Sequence, residues 1–79
     1  MTTYLITTSE AIGYGLEQAE SPGQALDQLA ADAGLDREEM NDYCRVYAVP
    51  EEHIEAADDF GPDTPADDPA FAAIVAANA

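Results

Sequence analysis

Ser21-Pro22-Gly23-Gln24-Ala25-Leu26-Asp27-Gln28-Leu29-Ala30-Ala31-Asp32-Ala33-Gly34-Leu35 is the stretch that decides the fold. Serine at the cap, proline at the first helical position and glutamine three residues after the cap compose a capping box, which occupies N–H groups that a helix start leaves open. Ala25, Leu26, Leu29, Ala30 and Ala33 then share one face, and Gln24, Asp27, Gln28 and Asp32 share the other. Gly34 stands where a left-handed stop belongs. The spacing predicts a helix over 22–33 with an apolar face that a second layer must cover.

Upstream, the first twenty residues read as a β-hairpin. Thr2 to Thr8 is rich in β-branched and aromatic residues, and Ile12, Tyr14 and Leu16 alternate with Gly13, Gly15 and Glu17. Ser9-Glu10 supplies the turn, and the two glycines mark a bulge or a close approach by another backbone. Downstream, Asp36 opens a second short helix with Glu39 at its third position and Met40 and Tyr43 as apolar contacts. Cys44 to Val49 suits a third strand, ended by Pro50, which starts a helix over 51–58 with Ile54 and Ala57 inward.

Residues 58–68 form an Asp/Pro-rich loop, and Asp68-Pro69 caps a final helix over 69–79 carrying Phe71, Ile74 and Val75. The order is ββααβ plus C-terminal helices. It predicts one α+β domain over 1–79, a three-stranded antiparallel sheet with helices on one face. Leu5 or Ile6, Tyr14, Leu16, Leu26, Leu29, Val46, Phe71 and Ile74 are its expected core.

Charge narrows the function. Seventeen acidic residues oppose two basic ones, Arg37 and Arg45, for a net charge of −15. Solubility needs only about 2 to 8 charges on a small domain, so the excess costs self-repulsion. Phosphate backbones and anionic membranes are held by Lys and Arg, which excludes direct binding to either. A basic protein surface, a multivalent cation or a saline environment remains, beside the plainer reading of a solvated acidic surface without a partner. A lone cysteine, Cys44, and the lack of a secretory or membrane-spanning apolar run predict a cytoplasmic chain; a monomer is expected.

The residues for catalysis or metal binding are sparse. His53 is the single histidine and lacks the second histidine or the cysteines of a zinc motif. Asp58, Asp59, Asp63, Asp67 and Asp68 do not follow EF-hand spacing. Gly13-Tyr14-Gly15 lies in a strand context, with no helix N-terminus directly after it to hold phosphate. No catalytic group, cofactor or metal is expected. The carboxylates themselves are the candidate site: Asp27, Asp32, Asp36, Glu38, Glu39 and Asp42 on two successive helices, then Glu51, Glu52, Glu55, Asp58, Asp59 and Asp63 on a helix and loop. Helix-borne carboxylates three and four residues apart have Cβ atoms about 5 to 6 Å apart, close to the phosphate repeat of one DNA strand. Two such rows suit a basic groove made for a duplex.

Tyr4-Leu5-Ile6-Thr7, Gly13-Tyr14-Gly15 and the 21–35 stretch look like segments of small proteins carried by phages and mobile elements. The whole chain, small, lysine-free and acidic, resembles the anti-CRISPR proteins that act as DNA mimics. That resemblance implies binding to a Cas effector subunit, in a type I surveillance complex of the host bacterium, at the Lys/Arg surface that takes target DNA. No active-site residue transfers, because these inhibitors act by occlusion. Two other classes stay open: a salt-adapted acidic interaction domain, and an antitoxin-like binder of a basic protein.

Overall fold

The computed structural model describes residues 1–8, 13–61, 63–65 and 67–78. Strands β1 (Thr2–Thr8), β2 (Gly15–Ala19) and β3 (Cys44–Ala48) form one antiparallel sheet in the order β2-β1-β3. Helices α1 (Pro22–Ala33) and α2 (Arg37–Tyr43) connect β2 to β3. After β3 come a 3-10 turn (Glu51–His53), α3 (Ile54–Asp58) and α4 (Pro69–Ala77). This is the expected α+β architecture.

Local signals set the helix ends. The Ser21 hydroxyl accepts the Gln24 N–H at 3.1 Å, and the Gln24 side chain accepts the Glu20 N–H at 2.7 Å. The reciprocal bond thus reaches one residue before the cap. Gly34 takes φ 69°, which an L side chain rarely adopts, and α1 stops there. The Asp36 carboxylate accepts the Glu38 N–H at 2.9 Å, and Asp68 accepts the Ala70 and Phe71 N–H groups at the start of α4.

The helices cover both faces of the sheet rather than one. Successive side chains of a strand point to opposite faces, and β1 is buried from Thr3 to Thr7. Tyr4 and Ile6 pack with Ala25, Leu26 and Ala30 of α1 and Met40 of α2, while Leu5 packs with Val49, Ala57 of α3 and Ile74 of α4. The expectation of a single covered face fails because Tyr4-Leu5-Ile6 is a continuous apolar run, the pattern of a strand buried on both sides. The result is helix, sheet, helix.

Other details also moved. Residues 9–12, which include the proposed Ser9-Glu10 turn and Ile12, lie outside the described residues. Strand β2 begins only at Gly15, so Tyr14 precedes it and is 38% exposed instead of joining the core. Gly13 shows the expected close approach: a Cβ there would collide with the carbonyl group of Phe60. The helix foreseen over 51–58 divides at His53 into a 3-10 turn and the short α3. Leu16, Leu29, Val46 and Phe71 pack against the core half-buried, whereas Leu5, Ile6, Leu26 and Ile74 are buried within it.

The C-terminal layer is pinned to the sheet by one side chain. The Asn78 amide accepts the Ala48 N–H and donates to the Ala48 carbonyl, both at 2.9 Å, so it pairs with the outer edge of β3 as a neighbouring strand would. A third bond to the Ile74 carbonyl at 2.7 Å fixes the amide to the end of α4.

Candidate functional site

All twelve carboxylates singled out in the sequence are exposed. The fold divides them. Asp27 and Asp32 on α1, Asp36 at the cap of α2, and Glu38, Glu39 and Asp42 on α2 belong to the layer that covers Tyr4 and Ile6. Glu51 and Glu52 on the 3-10 turn, Glu55 and Asp58 on α3, and Asp59 and Asp63 beyond it belong to the layer that covers Leu5. The sheet lies between the two rows.

Not every member of the first row is equally available. The Arg37 guanidinium donates from Nε to Asp27 at 2.7 Å and from Nη1 to Asn41 at 2.6 Å, tying α2 to α1 and neutralising Asp27. Asp36 is occupied by capping. Asp32 is engaged by Glu17 of β2, which leaves Glu38, Glu39 and Asp42 as that row's open charges. In the second row the His53 imidazole lies 3.8 Å from the Glu52 carboxylate, too long for a hydrogen bond. Arg45 stands exposed on β3, in register with Thr7 and so on the face of the second row.

One acidic residue outside the expected set is perturbed. Glu17 of β2 is paired across the sheet with Tyr4, so it turns toward α1 and meets Asp32. Partial burial, then the Asp32 charge and a hydrogen bond with Asp32, push the Glu17 carboxyl above its ordinary value of 4.5. Its place in the Leu16-Glu17 alternation marks it as facing away from Leu16. The identity of its neighbour follows only from how α1 crosses the sheet.

The thiol and the cavities offer little for chemistry. Cys44 is half-buried, and burial pushes its thiol up, with Arg37 opposing the shift, so the reactive thiolate is disfavoured. It lines a cavity of about 460 Å³ with Thr8, Asn41, Asp42, Tyr43 and Arg45. Among the described residues no three of His, Cys, Asp and Glu converge as metal ligands, and no helix is long and apolar enough to cross a membrane.

The accessible surface is 4830 Å², about 320 Å² for each of the 15 net charges. B-DNA presents about one charge per 110 Å² if its charges are spread over a cylinder of ~10 Å radius. Local concentration of carboxylates is thus what any duplex-like surface of this chain depends on. Comparison with family models, with curated proteins and with solved structures returned no match.

Proposed function

We propose that this chain is a non-catalytic inhibitor that covers a cationic, DNA-binding surface of another protein and keeps target DNA away from it. The partner implied by its sequence resemblance is a Cas effector of a type I surveillance complex. The observation that carries the reading is the exposure of all twelve candidate carboxylates, of which Asp27 alone is paired with an arginine among the described residues. Charge left unneutralised within the fold is available to a partner's Lys and Arg side chains. The attraction steers encounter and weakens with salt, since the screening length is about 8 Å at physiological ionic strength.

The two rows constrain the mode of contact. They lie on opposite sides of a domain whose smallest Cα extent is 22 Å, comparable to a duplex of roughly 10 Å radius. A channel that encloses DNA can meet both rows at once. A partner with a shallow groove would use one row and be indifferent to the other.

Affinity capture from a CRISPR-bearing bacterial lysate tests the reading, with the wild type beside two folded variants. One carries Glu38→Lys, Glu39→Lys and Asp42→Lys; the other carries Glu51→Lys, Glu52→Lys and Glu55→Lys. The expected result is a basic DNA-binding subunit that elutes with salt and is lost from at least one variant. Capture of the same partner by both variants at undiminished yield would exclude a carboxylate-based contact.

A second reading has its own support, because carboxylates on both faces also suit a salt-adapted surface. That reading requires folding stability to collapse below molar salt. The inhibitor reading requires the domain to stay folded there.

A further inference from the structure

The two edges of the sheet are finished differently. On β3 the Asn78 amide takes both outward groups of Ala48, and the Met40 carbonyl at the end of α2 takes the Cys44 N–H. Val46, whose outward groups nothing bonds among the described residues, is thus flanked on either side by a closed position. On the other side, the Val49 N–H bond to the Thr3 carbonyl at 2.8 Å shows that Thr3, and by alternation Leu5 and Thr7, turn their backbone groups toward β3. Tyr4 and Ile6 therefore bond β2 through Glu17 and Gly15. The N–H and C=O groups of Leu16 and Gln18 point away from the sheet, and among the described residues nothing bonds them.

The side chains of this open edge are sorted by face. Leu16 borders a cleft of about 190 Å³ whose other apolar walls are Leu5, Ala57 and Phe60. Glu17 turns to the opposite face, against Asp32. Two carboxylates held together beside backbone groups that point out of the sheet gain from a cation, and neither β2 nor α1 contains a lysine or arginine to provide it. A second copy of this chain would bring another −15 and is disfavoured.

We propose that the β2 edge receives an extended segment of a basic partner as a fourth strand, with apolar and cationic side chains alternating along it. An apolar residue enters the Leu16–Phe60 cleft, its neighbour reaches Glu17 and Asp32 with a Lys or Arg, and Leu16 and Gln18 supply the backbone bonds. From the proposed function it takes only that the partner is basic.

The test uses the full chain and two peptides of about eight residues, the length of an ordinary strand. One alternates Val and Lys; the other has the same composition in two blocks. Amide exchange should slow by about tenfold or more at Leu16 and Gln18 with the alternating peptide, as new ladder bonds require, and the block peptide should bind more weakly. Gln18→Pro, which removes an N–H that the sheet does not use, should abolish binding of the alternating peptide. Unchanged exchange at Leu16 and Gln18 in saturating peptide overturns the proposal, as does failure of the alternating peptide to bind. If both peptides bind equally without protection, the carboxylates attract cations but the edge is not a docking strand, and the inhibitor reading survives. Should Gln18→Pro prove unfolded by circular dichroism, the exchange pattern of the wild type decides alone.

Discussion

The layer of α1 and α2 and the layer of the 3-10 turn, α3 and α4 cover opposite faces of the same strand, yet they are held by different kinds of contact. The first is defined largely by bonds between near neighbours: Ser21 with Gln24, Asp36 with Glu38, Arg37 with Asn41, and the left-handed Gly34. The second depends on residues far apart in the chain. Asn78 reaches Ala48, Gly13 lies against the Phe60 backbone, and Phe71 meets Tyr47 and Phe60 edge-on at 5.8 and 6.2 Å. Short helices are marginal alone, so the 5-residue α3 and 9-residue α4 take their stability from packing. The first layer is written mostly in local signals, while the second, though Asp68 caps α4 locally, is placed mostly by contacts distant in sequence.

The sharpest way to break this comparison is to empty each core in turn. Met40 and Ile74 are both fully buried, one per layer, and either change to Ala should cost about 2 to 5 kcal/mol in chemical unfolding. The layers should then differ in how they open. Ile74→Ala should speed amide exchange in α4 before α1, whereas Met40→Ala should affect α1 and α2 first. Equal exchange throughout in both variants would mean the layers do not act separately. Next in size is Gly13→Ala, whose new methyl meets the Phe60 carbonyl and should cost about 1 to 3 kcal/mol through the second layer. Ser21→Ala removes a cap from the first layer and should cost about 1 kcal/mol, measured as a shift in denaturation midpoint.

The smallest effect has the opposite sign. Because the folded Glu17 carboxyl titrates above 4.5, the folded state binds its proton more tightly than the unfolded chain does. The stability this contributes is fully present below pH 4.5 and is lost as pH rises through the folded value. Glu17→Gln should therefore raise the melting temperature at pH 7 relative to wild type, with the advantage shrinking as pH falls toward 4.5. An advantage that grows on acidification would show that Glu17 is stabilised by a counter-charge instead of crowded by Asp32.

Much of the first layer was legible because its signals are local. Ser21, Pro22 and Gly34 bound α1 in the sequence, and Asp36 marks α2, since a cap acts within two or three residues of itself. The second covered face was written in Tyr4-Leu5-Ile6, where a run replaces alternation, and in Ala57 and Ile74, which the sequence already turns inward on helices after β3. Which backbone Gly13 approaches was not readable, because Phe60 is distant in sequence. For the candidate site, exposure of the carboxylates could be foreseen from their cost of burial. Their separation into rows on opposite faces could not, since it depends on which helix covers which side of β1. The meeting of Glu17 with Asp32 was hidden for the same reason.

The central claim, occlusion of a DNA-binding surface by carboxylates, is tested most directly by competition. A purified type I surveillance complex is held with a labelled target duplex at half-saturation, and this protein is titrated in at physiological salt. DNA should be displaced, and raising salt should weaken this protein's own affinity for the complex. Glu38→Lys, Glu39→Lys and Asp42→Lys together, or Glu51→Lys, Glu52→Lys and Glu55→Lys together, should weaken displacement by more than about tenfold, equivalent to ~1.4 kcal/mol. Simultaneous binding of DNA and this protein, each with undiminished affinity, would contradict it.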